Sequence, residues 1–351
     1  MKVALLGLDK DFNPNSGRGP AVYIYNLYKN LSQIRDLNIV RFETKIPNLL
    51  GGGNSFTGNA FTFTLDNLIR NFEPFDLIHT LYFNLIFSPF KYKKPIITTV
   101  HDAREIVGIP SQKTNDELII YKKLVHYIGT RTLKSNYIIC VSTQTKEEMV
   151  KLGYPKNRIY VVNLGIDRNF LTYKPVTKSA DYCKFNVGYV GSFAKNKNVS
   201  FIIDTAKILN NSVNFYLWGG NQNYSELLKS ASELKTVKFM GFAPGSKLIN
   251  IYDSFDVFVF PSLYEGFGLP IFEAQSRGLP VIIYKYGKIP KEVRKYCFEA
   301  ESPEHMAQII ENLKENGYNE KLRNKATEYA RSFTWEKCAK ETLEVYKKAL
   351  V

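Results

Sequence analysis

The segment FDVFVFPSLYEGFGLPIFEAQSRGLPVIIY (255–284) decides the fold, because it joins two apolar strands through a loop and one short helix. Pro270 suits the first turn of that helix, and Gly278 suits its end. The strands are rich in Val, Ile and Phe, which is typical of strands that are covered on both faces of a parallel sheet. The segment therefore predicts a strand–helix–strand unit.

The same alternation of apolar strands and helices runs along the chain in two series. The predicted strands of the first series are 2–8, 37–43, 75–81, 95–102, 135–142 and 159–167, and those of the second are 185–192, 213–220, 237–242, 255–262 and 279–284, with helices at 21–34 and 199–209. Each series predicts a doubly wound parallel sheet with helices on both faces. The predicted fold class is α/β, with two Rossmann-like domains that face each other across a ligand-binding cleft.

We predict a first domain over 1–172, a second domain over 173–334 and a C-terminal helix over 335–351 that packs back on the first domain. A segment rich in Thr, Lys and Ser between Phe170 and Lys184 is the predicted linker. The C-terminal helix has an amphipathic pattern. Its predicted buried face consists of Trp335, Cys338, Ala339, Leu343, Tyr346 and Leu350.

The composition is that of an ordinary globular protein with an excess of positive charge. Of the 351 residues, 44% are hydrophobic and 23% are charged, and the formal net charge is +14. This charge indicates either an anionic partner (nucleic acid, an anionic membrane or a phosphorylated substrate) or simply a lysine-rich solvated surface. The apolar run from Val3 to Leu8 is too short for a signal-peptide core, and no stretch approaches the length of a membrane-spanning helix. The four cysteines are scattered and form no CxxC pair, which indicates reduced thiols in a cytoplasmic protein.

Two glutamates, Glu265 and Glu273, bracket the stretch EGFGLPIFE. The pattern places Glu265 in the loop and Glu273 in the first turns of the helix, so that both can face one pocket at the carboxyl end of the strand. Gly266 and Gly268 permit close approach of a ligand to the backbone, and the helix start favours anionic oxygens. Carboxylates only accept hydrogen bonds, which suits sugar hydroxyls. Alternatively, both acids merely complement the helix dipole, an effect of about 0.3–1 kcal/mol.

The string PSLYEGFGLPIFEAQSRGLPV (261–281) resembles the signature of the retaining, nucleotide-sugar-dependent glycosyltransferases of family 4, which have the GT-B fold. The resemblance extends over nearly the whole chain, because weaker motifs follow in the expected order. It implies catalytic roles for Glu265 and His101. The donor-binding residues that it implies are Gly17, Gly19, Ser192, Lys195, Lys197, Gly266, Phe267, Gly268, Leu269 and Glu273.

Two of the weaker motifs fall in the first domain. The Gly-rich turn in SGRGPAVYIYNL (16–27) would approach the donor diphosphate and the acceptor, although a plain tight turn explains it equally well. The motif TVHDA (99–103) ends a predicted strand, and the resemblance places His101 beside the donor sugar. A lone histidine at a strand end is more often structural, but the carboxyl end of a parallel strand is where ligands bind.

A third weaker motif, VGSFAKNKN (190–198), forms the first turn of the second domain. In the family a lysine at the position of Lys197 binds the diphosphate, usually with a nearby arginine. The two places where that arginine commonly falls hold Ser192 and Asn196 here, and Lys195 is the candidate for the missing charge. An exposed lysine in a polar loop is the simpler alternative.

The expected activity is the transfer of a hexose, with retention, from a UDP- or GDP-linked sugar to a lipid-linked glycan, a glycolipid or a polysaccharide. No cofactor and no metal are expected: Asp9 and Asp11 form a D-x-D pattern in a first loop, but the resembled fold does not usually need a metal. Basic and aromatic residues in the first domain favour peripheral contact with the anionic inner face of the cell membrane.

Two other classes of function remain open from the residues alone. A sugar-nucleotide epimerase or a phosphorylase could share the same two domains, although the acid–glycine string argues against both. A basic nucleic-acid-binding protein or a non-catalytic partner protein would account for the charge, but no recognised nucleic-acid module is present, so nucleic acid is not an expected partner.

Overall fold

The chain divides into two units, each built on its own parallel sheet. In the computed structural model, the described residues are 1–8, 12, 19–44, 70–81, 94–103, 137–171, 185–210, 212–220 and 224–351. One unit is Met1–Gly165 together with Trp335–Val351, and the other is Ile166–Thr334. The predicted domain boundary at residues 172 and 173, Gly17, Asp9 and Asp11 lie outside the described residues.

The first unit contains a parallel sheet with the order β2-β1-β3-β4-β5-β6 in its described part. Its elements are β1 (Lys2–Leu8), α1 (Gly19–Leu31), β2 (Asn38–Thr44), β3 (Leu77–Thr80), β4 (Ile96–Val100), β5 (Tyr137–Cys140), α2 (Thr143–Lys151) and β6 (Ile159–Val161). Strands β3 and β4 are buried along their whole length, including the polar side chains of His79, Thr80, Thr98 and Thr99. His101 follows directly on β4 and therefore lies at the carboxyl end of a central strand.

The second unit contains a parallel sheet with the order β12-β11-β10-β7-β8-β9 in its described part. Its elements are β7 (Asn186–Val190), α3 (Val199–Ile208), β8 (Asn214–Trp218), α4 (Tyr224–Ser230), β9 (Val237–Gly241), α5 (Leu248–Asp253), β10 (Val257–Phe260), α6 (Leu269–Ser276), β11 (Val281–Tyr284), α7 (Lys291–Arg294), β12 (Phe298–Ala300), α8 (Pro303–Asn316) and α9 (Glu320–Arg331). The α/β class and the two Rossmann-like units that the sequence predicts are confirmed.

Strands β7 and β10 are neighbours in the second sheet although about 70 residues separate them. The chain leaves β7 towards β8 on one side and leaves β10 towards β11 on the other. Loops that diverge from adjacent parallel strands open a crevice at the carboxyl ends, which is where doubly wound sheets bind ligands. The order of this sheet therefore brings the loop that contains Lys197 next to the loop that contains Glu265.

The C-terminal helix α10 (Trp335–Leu350) groups with the first unit, and part of its predicted buried face is wrong. Leu350 is exposed and Leu343 is only half-buried, whereas Thr342, Val345 and Ala349 are buried. The buried stripe follows a period of three to four residues from Trp335 to Ala349. Leu343 and Leu350 each lie one position beyond that stripe, where their apolar character does not determine the packing.

Buried polar side chains connect α10 to the sheet of the first unit. The two ring nitrogens of His79 lie 2.7 Å from the Tyr346 hydroxyl and 2.8 Å from the Thr99 hydroxyl, and Thr99 also hydrogen-bonds with Tyr23 at 3.0 Å. Burial lowers the pKa of His79 to about 3, so the ring is neutral at physiological pH. Through its hydrogen bonds with Tyr346 and Thr99, the buried imidazole of His79 connects α10 to β3 and β4.

Two further observations concern the described residues as a whole. Within those ranges, none of the helices combines the length and the apolar character needed to cross a bilayer. Cys140, Cys297 and Cys338 are free thiols, and burial raises the pKa of each of them well above its usual range.

Candidate active site

An ion pair between Lys197 and Glu265 lies at the carboxyl ends of β7 and β10. The Lys197 ammonium donates to Glu265 Oε1 at 2.6 Å, and the two side chains are 20% and 10% exposed. Lys197 also lies 5.4 Å from the centre of the Phe260 ring, which adds a cation–π contact. A carboxylate and an ammonium are thus held almost out of water at the predicted ligand-binding edge, although 68 residues separate them.

Hydrogen bonds join the two loops and fix this geometry. The Asn196 carbonyl accepts from the Leu263 backbone N–H at 2.8 Å and from the Ser262 hydroxyl at 2.9 Å. The Glu265 backbone N–H donates to the Lys288 carbonyl at 2.9 Å. The turn before Lys288 needs Gly287, because a Cβ there would lie 2.2 Å from the Ser262 carbonyl oxygen. The direction of the Glu265 side chain therefore depends on backbone contacts from two separate loops.

Helix α6 begins where the sequence predicts, just after the glycine pair. Gly268 is its N-cap and has a φ of 105°, a conformation that favours glycine, and Pro270 lies in the first turn. A Cβ on Gly268 would lie 3.9 Å from Glu265 Cγ, so the helix start adjoins the glutamate. Phe267 is buried against Phe272, with ring centroids 5.5 Å apart. Any contact of Phe267 with a ligand must therefore come from its main chain.

Glu273 lies in the second turn of α6 and is partly exposed. The Tyr252 hydroxyl donates to Glu273 Oε2 at 2.7 Å. Burial raises the pKa of Glu273 to about 7, the Tyr252 hydrogen bond opposes this rise, and the negative charge of Asp167 adds to it. This carboxyl therefore changes charge near neutral pH.

His101 occupies the corresponding edge of the first unit. Its Nε2–H donates to the Leu81 carbonyl oxygen at 3.1 Å, and its ring packs edge-on against Tyr23 at 4.9 Å. Burial lowers the pKa of His101 to about 4, which outweighs the opposite effect of Asp102. The imidazole is therefore neutral at physiological pH, and the hydrogen bond to Leu81 places its proton on Nε2.

The remaining predicted residues lie at these same edges. Gly19 is the first residue of α1, and Leu269 is the first residue of α6. Ser192 and Lys195 are exposed in the loop after β7, where the Ser192 carbonyl accepts from the Tyr189 hydroxyl at 2.7 Å. Lys197, and not Lys195, forms the pair with Glu265.

Sequence reasoning missed two residues that shape the site, Asn196 and Tyr252. Asn196 is buried and links the loops, at one of the places where the family commonly has arginine. Tyr252 lies in α5, which the sequence analysis did not predict. The only signal was the polar atom of Tyr252 within an apolar helix face, because a buried phenol needs a hydrogen-bond partner.

Two family models together match most of the chain. The model of "Glycosyl transferases group 1" matches residues 180–333, and that of "Glycosyltransferase Family 4" matches residues 18–170. Together the two matches take in the loop after β7, the segment from Glu265 to Glu273, and His101. All the predicted site residues except Gly17 therefore lie inside the regions that these family models match.

Individual proteins resemble the chain over most of its length. The O-antigen chain mannosyltransferase B of Escherichia coli is 25% identical over 270 residues, which is 72% of this chain and 70% of that protein. The sucrose-phosphate synthase structure from Thermosynechococcus elongatus superposes with a TM-score of 0.80 at 18% identity, covering 99% of this chain and 98% of that one.

Anabaena HepE in complex with UDP-glucose superposes with a TM-score of 0.70 at 18% identity, covering 99% of this chain and 100% of that one. At such identities the two structures show the fold, which is the GT-B fold, and the family matches show the activity class. The predicted α/β architecture, the predicted family and the predicted enzyme class are thereby confirmed. The chain belongs to the group 1 glycosyl transferases and is a glycosyltransferase.

Proposed function

We propose that this enzyme transfers a hexose, with retention of configuration, from a UDP- or GDP-linked sugar to a lipid-linked glycan, a glycolipid or a polysaccharide. The observation that carries the proposal is the Lys197–Glu265 pair beside the start of α6. This arrangement brings together a cation, a carboxylate that accepts hydrogen bonds from hydroxyls, and the N–H groups at the start of a helix. An E. coli relative is named an O-antigen chain mannosyltransferase, and a structural neighbour holds UDP-glucose, which supports these classes of acceptor and donor.

Each group has a role that its chemistry suits. Lys197 and the main-chain N–H groups from Gly266 to the start of α6 stabilise the negative charge of the diphosphate. Glu265 accepts hydrogen bonds from hydroxyls of the transferred sugar, and Glu273 accepts them from the ribose. The neutral His101 orients the sugar by hydrogen bonding rather than by charge.

Transfer then proceeds on one face of the sugar. The acceptor hydroxyl oxygen bonds to the anomeric carbon as the bond from that carbon to the diphosphate oxygen breaks, and the hydroxyl proton passes to the leaving phosphate. Positive charge develops at the anomeric carbon and negative charge develops on the diphosphate. Lys197 and the N–H groups lower the barrier by stabilising the second charge, and correct placement of the two substrates supplies much of the remainder.

A donor panel tests the proposal. Thermal unfolding is measured with UDP-, GDP- and ADP-linked hexoses, with and without excess EDTA. We expect one UDP- or GDP-linked sugar to stabilise the enzyme, by about 2.7 kcal/mol at one hundred times its Kd. We expect the shift to persist in EDTA, because no metal is proposed. If none of these sugars shifts the transition, the proposed function is wrong.

We also propose that the protein is cytoplasmic and contacts the inner face of the membrane peripherally. The support is the formal net charge of +14, since each basic residue near an anionic surface contributes about 1 kcal/mol. In liposome flotation we expect binding to vesicles with anionic lipid at low salt and release at high salt. Neutral vesicles are the control, and equal recovery with both kinds of vesicle would exclude an electrostatic contact.

A further inference from the structure

Tyr252 is a buried polar residue to which the roles given above assign nothing. It lies in α5 with no exposed surface, and its hydroxyl donates to Glu273 Oε2 at 2.7 Å. Burial, and then the neighbouring Glu273 charge, raise the pKa of Tyr252 well above its usual range. The phenol therefore stays neutral, and it contributes a proton to this hydrogen bond at every physiological pH.

The phenol ring is held rigidly. It packs against Phe258, Phe170 and Phe255, with ring centroids 5.3, 5.7 and 6.3 Å away. The next residue, Asp253, forms a two-pronged ion pair with Arg277 at 2.7 and 2.8 Å, which fastens α5 to the end of α6. With its ring and its helix both fixed, Tyr252 offers its hydroxyl to Glu273 in one direction.

The hydroxyl matters because it occupies one particular oxygen of the carboxylate. Among the described residues, the Tyr252 hydroxyl donates to Oε2 of Glu273. The other carboxylate oxygen, Oε1, is therefore the one that can accept a hydrogen bond from a ligand hydroxyl. Phenylalanine would fill the same apolar space without the polar atom. A buried hydroxyl without a hydrogen bond lowers the stability of the fold, so it needs a partner. The partner of the Tyr252 hydroxyl is Glu273, a proposed donor-binding group.

Charge balance at Glu273 supports the same conclusion. Burial and the Asp167 charge favour the protonated carboxyl, whereas the Tyr252 hydrogen bond favours the ionised form and lowers the pKa of Glu273. Among the charged groups on the elements that pack against α6, Arg277 pairs with Asp253, Arg331 of α9 donates to the Ser276 carbonyl, and Arg294 of α7 pairs with Glu299. Glu292 of α7 acts on Tyr329, and Arg168 lies in the short turn Arg168–Leu171, which also packs against α6. The segments Val257–Phe260 and Val281–Tyr284, which are the neighbouring strands, carry no charged side chain.

We propose that Tyr252 is a positioning residue for donor binding, whose hydroxyl occupies Oε2 of Glu273 and directs Oε1 to the ribose hydroxyls of the nucleotide. This inference rests on the proposed function and deepens it. Because the ribose does not take part in bond breaking, the contact acts equally on the ground state and the transition state. Its loss therefore changes donor affinity and not the chemical step.

The test is Tyr252→Phe, with Tyr318→Phe as the matched control. Within the described part of the chain, the buried Tyr318 hydroxyl has no hydrogen-bond partner, so its removal costs nothing at the site. The probes are UDP and GDP and their 2′,3′-dideoxy forms, titrated by calorimetry from pH 5.5 to 8.5. We expect Tyr252→Phe to weaken binding of the ribonucleotide about tenfold, the size of a hydrogen bond to a charged group. We expect the control to bind like the wild type.

The dideoxy probes and the pH profile separate positioning from a purely structural effect. Against the dideoxy nucleotide, which lacks the hydroxyls, the loss caused by Tyr252→Phe is expected to disappear. For the ribonucleotide, the fall in affinity on acidification is expected to begin at higher pH in Tyr252→Phe, because without the phenol the carboxyl protonates more readily. If Tyr252→Phe only loosened the fold, binding of the ribonucleotide and of the dideoxy nucleotide would weaken equally, and the pH dependence of the affinity would not shift.

A double-mutant comparison with Glu273→Gln completes the test. If Tyr252 acts through Glu273, the double variant binds no worse than Glu273→Gln alone. Additive losses would overturn the inference, as would equal affinity of Tyr252→Phe and the wild type. If the wild type itself binds neither UDP, GDP nor any nucleotide sugar, the proposed function fails and this inference falls with it.

Discussion

Replacing Glu265 by glutamine is expected to lower the rate of transfer at least about 100-fold while the fold remains intact. Glutamine keeps the shape of the side chain, and its amide oxygen can still accept from Lys197. It removes the negative charge and one of the two acceptor oxygens, which hold the hydroxyls of the transferred sugar in the proposed mechanism. Release of nucleoside diphosphate from saturating donor measures the rate, and thermal unfolding measures the stability.

Glu301→Gln is the matched control for this variant. Glu301 also pairs with a lysine in the second unit, Lys285, but both side chains are nearly half-exposed. Exposed pairs contribute little, so both stability and rate should stay close to those of the wild type. If the purified Glu265→Gln enzyme were as active as the control, Glu265 would have no part in the reaction.

Replacing Lys197 by methionine is expected to reduce kcat/KM by about 100- to 1,000-fold, the loss seen when one preorganised donor to a developing negative charge is removed. The proposed mechanism gives Lys197 the charge of the departing diphosphate, and its position beside the start of α6 suits that role. Methionine keeps most of the apolar stem but donates no hydrogen bond. Steady-state kinetics with the donor from the panel measures the change.

The same substitution is expected to destabilise the fold by about 1.5–3 kcal/mol, since it removes a hydrogen bond between two nearly buried charged groups. The double variant Lys197→Met with Glu265→Gln should recover most of this stability, because both charges of the pair are then removed together, yet it should remain inactive. Lys207→Met, which removes an exposed lysine of the same unit, is the control for both measurements. Recovery of activity together with stability would mean that the pair is structural only.

Lys195 allows a comparison on the same loop. It is exposed, and it does not contact Glu265 as Lys197 does, although the sequence suggested it as the replacement for the family arginine. That suggestion stays a prediction. If Lys195→Met lowers kcat/KM less than Lys197→Met does, Lys195 supplies only a supporting positive charge, because an exposed ammonium is screened by solvent.

Much of the candidate site could be predicted from local sequence. The loop position of Glu265, the helical position of Glu273 and the bounds of α6 follow from Pro270, Gly268 and Gly278, because capping and turn preferences act within a few residues. His101 was placed at a strand end because an apolar run that predicts a strand precedes it. These features depend on short-range backbone preferences, which the sequence displays directly.

Contacts between distant residues could not be predicted in this way. The burial of Asn196 and the hydrogen bond from Tyr252 to Glu273 depend on which loops and helices become neighbours. The wrong assignment of Leu350 to the buried face of α10 has the same origin, because apolar character alone does not reveal where a partner surface ends. Periodicity tells which side of an element avoids water but does not identify the element that covers it.

The sequence by itself therefore determined the two series of strands and helices, the membership of a glycosyltransferase family and the loops that contain the acidic and basic residues. Only the tertiary structure decided that Lys197 and Glu265 form a pair, because that contact requires β10 to lie beside β7 in the sheet. Strand order results from the packing of all the helices and strands of the unit at once. No local stretch of the chain carries that information.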